Sequence, residues 1–153
     1  MLRVPAIRQP SEITCLPTCV RAALLFLGRS IPQEEAEDAC GTGSRGTVVD
    51  VALDGLAGAG MDAELRQFAS IDDLLGELSD GQPVIALIRH PSGSLHAVVV
   101  CDVTDDTVTI MDPGKGAYEG VPRQQFEDYR CRIQNEGLLV TGPAVDGGRG
   151  GPP

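Results

Sequence analysis

The apolar positions of this chain change rhythm along its length. In the first half they mostly recur at helical spacing, and in the second they come as continuous or alternating runs. Residues 15–27, C-L-P-T-C-V-R-A-A-L-L-F-L, predict the first helix. Ala22, Ala23, Leu24, Leu25, Phe26 and Leu27 are good helix formers, and Gly28 is a natural stop. Thr14 is placed to act as N-cap, with Pro17 in the first turn, where a missing N–H costs little. Residues 4–9 read as a short extended lead-in. Ser30 and Gln33 have capping-box spacing and predict a short acidic helix reaching about Ala39. Thr47 and Asp50 suggest another cap, ahead of a helix with Val48, Val51, Ala52 and Leu56 as its apolar face and an end near Gly58 to Gly60. Ser70 with Asp73 caps a helix built on Ile71, Leu74, Leu75 and Leu78 and closed by Gly81.

The strand signals follow a different pattern. Residues 63–68 read as a strand, and V-I-A-L-I within 83–88 is the continuous run of a buried central strand. Residues 95–103 and 107–112 are strands joined across 104–106 as an antiparallel hairpin. A turn at 113–116, a short helix at 123–129 and a last strand at 137–140 complete the pattern. The sum is α+β, with N-terminal helices packed on a mostly antiparallel sheet. Residues 1–142 make one domain, and 143–153 have nothing to bury, so a disordered tail is expected. The segment 41–46 matches G-x-G-x-x-G. It follows a helix rather than a strand, with no downstream acidic residue placed for a ribose, and reads as a flexible loop.

Composition narrows the function. Aromatic residues make up only 3% and Trp is absent, so the core is built from Val, Leu, Ile and Ala. The net charge of −10 argues against nucleic acid as a partner. It suits a basic peptide substrate, although a solvated acidic surface is the plainer reading. No apolar run approaches membrane-spanning length and the first ten residues are no signal peptide, so a cytoplasmic chain without a membrane span is expected. The cysteines number five, outside any disulfide-like frame and without CxxC or Cys/His zinc spacing. Reduced thiols, no metal and no cofactor are expected.

Cys15 stands where a polar run turns into a helix. The positive end of the helix dipole lowers the pKa of a thiol there. Gln9 lies six residues upstream, and its amide together with the Cys15 N–H can form an oxyanion hole. A nucleophilic thiol needs a base, and the chain has only two histidines. His90 sits in a Pro/Gly/Ser loop and reads as solvated. His96 opens the apolar run L-H-A-V-V-V, where an imidazole is costly unless it has partners. Taken singly, such a Cys is more often a small buried hydrophobe, such a His a satisfied core residue, and Asp-Pro-Gly a turn. Taken together, and in the order that the resemblance described next implies, they point to catalysis.

Q-x5-C leading into a helix resembles the papain-like cysteine peptidases. The short form Q-x-x-E-x-x-C-x-x-x-C resembles the bacteriocin-processing peptidases, which cut double-glycine leader peptides, often as the N-terminal domain of an export transporter. G-R-S-I-P-Q-E-E, G-Q-P-V-I-A-L-I, L-H-A-V-V-V and M-D-P-G-K-G follow in the family's order, so the resemblance runs from about residue 4 to 140. It implies a papain-like fold with Cys15 as nucleophile, His96 as base, Asp112 as the residue that orients the ring and Gln9 as oxyanion donor. The implied function is a cysteine peptidase acting on a peptide or leader peptide, with a separate export transporter as a possible partner. An inactive peptide-binding module on this fold, or acyl transfer or deamidation by the same residues, are the alternatives. The family has Gly after the nucleophile; Leu16 stands here and bears on substrate choice. Glu12 either contacts substrate or caps the loop. Cys19 matches the family's second Cys and reads as packing, with redox partnership of Cys15 as the alternative; Cys40, Cys101 and Cys131 read as structural.

One geometric condition follows. His96 and Asp112 must share a face of the sheet. A two-residue turn at Asp105 and Asp106 would pair Val99 with Asp112 and put them on opposite faces. An odd-length loop or a β-bulge in the hairpin is therefore expected.

Overall fold

A computed structural model describes residues 1–43, 46–89, 95–131 and 135–142. Helices α1 (Cys15–Phe26), α2 (Gln33–Cys40) and α3 (Val49–Gly58) come first. They are followed by β1 (Asp62–Gln67), α4 (Ile71–Ser79), β2 (Val84–Arg89), β3 (Leu95–Val103) and β4 (Thr107–Asp112). The chain continues with β5 (Ala117–Pro122), α5 (Arg123–Cys131) and β6 (Glu136–Gly142). The strands form one antiparallel sheet of order β1-β6-β2-β3-β4-β5. Strand β2 lies inside the sheet and is buried over Val84 to Ile88, as its unbroken apolar run predicts.

Two apolar cores sandwich the sheet. On one side Leu16, Cys19, Val20, Ala23 and Leu24 of α1 pack with Ala97, Val99 and Met111 and with α2 and α3. On the other, Ile71, Leu74 and Leu78 of α4 and Phe126 of α5 pack on Val98, Val100 and Ile110. The helix α1 is buried on most of its surface because α2 covers the side that the sheet leaves open.

Only one of the expected caps forms as drawn. Ser70 and Asp73 exchange side-chain bonds with each other's backbone N–H at the start of α4. Thr14 occupies the N-cap position of α1, but its hydroxyl turns back to Ser11, accepting from its N–H at 3.2 Å and donating to its carbonyl at 2.9 Å. The N-cap of α2 is Pro32 rather than Ser30, because the Gln33 amide is drawn to Thr18 and Glu37. The N-cap of α3 is Val48, and the Thr47 hydroxyl pairs with Thr42. Val48 and Val51, expected in the core, are 63% and 49% exposed; Ala52 and Leu56 are buried there, with the half-buried Val49 and Leu53 packed beside them. Leu75 is likewise exposed. Residues 4–9 form no strand. The lead-in is instead pinned by Leu2 N–H to the Cys101 carbonyl, by the Tyr118 hydroxyl to the Val4 carbonyl, and by Gln9 N–H to the Pro113 carbonyl. Gly43 and Gly46 exchange backbone hydrogen bonds across the glycine-rich segment. His90 with its loop, residues 44 and 45, the 143–153 tail and the Cys131 side chain lie outside the described residues.

The β3–β4 hairpin meets the geometric condition. Thr104 and Thr107 flank a two-residue turn, and Val103 pairs with Val108 and Asp102 with Thr109. Beyond the bulge at Cys101 the register is Val100 with Ile110 and Val99 with Met111. Continued by one residue, it sets Val98 rather than Val99 opposite Asp112. The extra residue in β3 therefore returns His96 and Asp112 to one face.

Candidate active site

Cys15, His96 and Asp112 all lie at element ends. Cys15 is the first residue of α1, His96 the second of β3 and Asp112 the last of β4. His96 Nε2 and Asp112 Oδ1 are 2.7 Å apart. This leaves Nδ1 as the ring nitrogen for the Cys15 thiol, which is hydrogen-bonded to His96. Asp112 Oδ1 also accepts the Gly114 N–H at 2.8 Å, so the carboxylate is fixed from two sides. Both members of the His–Asp pair are largely shielded from water.

The electrostatics follow from these contacts. Burial pushes the Cys15 thiol up, but the His96 hydrogen bond, the backbone amides of Ala97 and Leu16 and the His96 charge together hold it below its ordinary value. The Leu16 amide is free for this because Thr14 makes no capping bond. Burial also works against a charged His96 ring, yet its bonds to Asp112 and Cys15 and their charges push it up to about 9. Asp112 is raised by burial and lowered more by His96 and Gly114, ending below the usual carboxylate range. All three shifts favour the charged forms, thiolate, imidazolium and carboxylate, in a row.

Gln9 lies on the lead-in just before α1, anchored through its backbone to Pro113 at 2.7 Å. Its Nε2 donates to the Ser11 carbonyl at 2.6 Å, while its Oε1 is buried without a hydrogen-bond partner. One amide hydrogen remains for another acceptor. The turn that positions Asp112 thus also holds Gln9. Gly116 tightens this junction. Its φ is +63°, and a Cβ there would meet the Arg8 Cβ at 2.8 Å and the Arg8 backbone nitrogen at 3.1 Å, so only glycine lets the lead-in pass this close. D-P-G-K-G reads as a plain turn in sequence, and this second task was missed there; its two glycines were the available signal.

Glu12 and Leu16 both line a groove that contains Cys15 and His96. Leu16 is 4% exposed and packs in the core, so it forms a wall and does not project across the opening. Cys15, Cys19, Cys40 and Cys101 are free thiols. Cys19 is fully buried and makes part of the α1 core.

A thiol at the start of a helix, set against an antiparallel sheet that carries a His–Asp pair, is the papain-like arrangement, and solved structures agree on the fold. A C39-like chain from Bacillus anthracis superposes with a TM-score of 0.70 at 18% identity, covering 92% of this chain and 95% of that one. The double-glycine-motif protease of an AMS/PCAT transporter, solved with its leader peptide, gives 0.69 at 19% identity over 94% of each chain. The peptidase domain of Streptococcus ComA, a bifunctional ABC transporter of a quorum-sensing pathway, gives 0.71 at 14% identity over 90% and 96%. The sequence model of the Peptidase_C39 like family matches residues 1–136, and the chain belongs to that family. No curated protein sequence matches significantly.

Proposed function

We propose that this chain is a cysteine peptidase that hydrolyses a peptide bond in a peptide or leader-peptide substrate. The observation that carries the reading is the continuous contact from the Cys15 thiol to the His96 ring to the Asp112 carboxylate. With the proton already on the ring, the Cys15 thiolate attacks the scissile carbonyl carbon. The carbonyl oxygen becomes an oxyanion, which the Cys15 N–H and the remaining Gln9 amide hydrogen stabilise. The imidazolium of His96 gives its proton to the departing amine as the C–N bond breaks, leaving a thioester on Cys15. Water, deprotonated by the now neutral ring, hydrolyses the thioester and restores the thiolate. Asp112 keeps the ring in the orientation that serves both transfers.

Family membership and the fold shared with a leader-bound protease support the reading. Among the described residues no helix is long and apolar enough to cross a membrane. In this reading the chain works with an export transporter, on the cytoplasmic side. The test is labelling with an electrophilic peptide probe together with turnover of a peptide library, comparing the native chain with Cys15→Ala. Labelling and turnover that both vanish in the variant are expected. Turnover that survives, or a native chain that neither labels nor cleaves, contradicts the proposal.

A further inference from the structure

The groove beside Cys15 and His96 has a volume of about 150 Å³. Its apolar walls come from Ile13, Leu16, Val49, Leu87, Leu95 and Ala97. An aliphatic cavity of about 150 Å³ is large enough to hold a benzene molecule. Ile13 and Leu95 are 36% and 51% exposed, so bare apolar surface stands at the side of the reacting thiol. Covering such surface is favourable in proportion to its area. A substrate with only glycines next to the scissile bond would leave the groove empty.

Building on the cysteine-peptidase reading, we propose that this groove receives a Leu- or Phe-sized side chain from a substrate residue within two positions of the scissile bond. The chain then cuts beside a large apolar residue and not beside a pair of glycines. The placement follows from the walls: Cys15 and His96 line the same groove, so a side chain that fills it belongs to a residue close to the bond being broken. Leu16 and Leu95 are the specificity-determining residues. Leu16 is buried and fixes the inner wall, and Leu95, directly before His96, sets the outer one. A single missing methylene in an apolar pocket changes discrimination by about 10- to 200-fold, so replacing Leu by Gly in the substrate costs at least about tenfold in kcat/KM.

The experiment incubates the full chain with a proteome-derived tryptic peptide library and sequences the cut sites by mass spectrometry. Two synthetic peptides built on a cut site, differing only in Leu or Gly at the favoured position, are then compared. The expected result is enrichment of Leu, Met or Phe within two residues of the cut and at least a tenfold preference for the Leu peptide. Leu95→Ala, a change at an exposed position, should shrink that preference severalfold. Equal or faster cleavage of the Gly peptide, with Cys15-dependent turnover intact, overturns the specificity and leaves the peptidase reading standing. If no peptide is cut and Cys15 does not label, both fall.

Discussion

Cys15 and Cys19 stand one helical turn apart on α1 and have opposite chemistry. Cys15 is partly exposed, and its thiol is drawn below its ordinary pKa despite burial, by His96 and by the amides of Ala97 and Leu16. Cys19 is 0% exposed and raised well above its ordinary value, by burial first and by the neighbouring Cys15 next. Cys40 and Cys101, also buried, are each pushed up to about 12. A thiol on this helix is therefore activated by its place at the uncapped first turn, facing the β3 ring, and four residues further along the same helix it is inert packing.

The comparison is broken most strongly by exchanging the two sulfurs for oxygen. Cys15→Ser should lower kcat on the order of 10⁶-fold, as the loss of a nucleophile does elsewhere, with the unfolding midpoint unchanged. Cys19→Ser should keep turnover and instead lose about 1–3 kcal/mol of stability, because a hydroxyl is buried among apolar groups. Peptide hydrolysis and denaturant titration of both variants separate the roles. Asp112→Ala comes next, with a fall of about 10³–10⁴ in kcat. It should also move the alkaline limb of the rate profile from near 9 toward the ordinary imidazole value of 6.5. A limb that stays near 9 would mean that Asp112 does not set the ring's charge.

Gln9→Ala should reduce kcat roughly ten- to a thousandfold with little change in KM, the usual effect of removing one oxyanion donor. Gly116→Ala, which drives a methyl into Arg8, should cost about tenfold in kcat through displacement of Gln9. If so, the double variant is no slower than Gln9→Ala alone; simple additivity would place the two effects apart. The smallest effect is on stability. The His96 pKa is raised from 6.5 to about 9, so its contribution is complete below pH 6.5 and is lost as the pH rises through 9. Asp112 is lowered from 3.8, so its share is present above that value and is lost as the pH falls through the depressed one. The melting temperature of the native chain should exceed that of His96→Ala by more at pH 5.5 than at pH 10.

The features legible in the sequence are those with strong local signals. The β2 run, the β3–β4 hairpin and the Ser70 box each carry their own signature, and the parity of His96 and Asp112 required an odd-length loop or a bulge, of which the chain uses the bulge. Caps failed where a side chain had a better partner outside its own helix, as Gln33 finds Thr18 and Thr47 finds Thr42. Strand β5 gave no signal. A-Y-E-G-V-P holds a Gly and a Pro, and among its residues only Val121 is buried, as suits an edge strand. The position of β6 between β1 and β2 depends on non-local pairing that no window of residues encodes. In the site, residue types pointed to Cys15 and His96, and the family resemblance added Asp112. The Ser11 bond that ties up part of the Gln9 amide, and the Gly116 contact with Arg8, exist only once the chain has folded.

The most direct measurement is the rate of Cys15 alkylation by iodoacetamide against pH, with the modified residue identified by mass spectrometry, for the native chain and for His96→Ala. If Cys15 rests as a thiolate beside the His96 imidazolium, the native rate is already high at pH 7. The variant should then be slow there and rise only toward the ordinary thiol value of 9.0. A native rate that rises only above about pH 8 and is unaffected by His96→Ala would show an ordinary thiol, typical of a free cysteine, and would contradict the account.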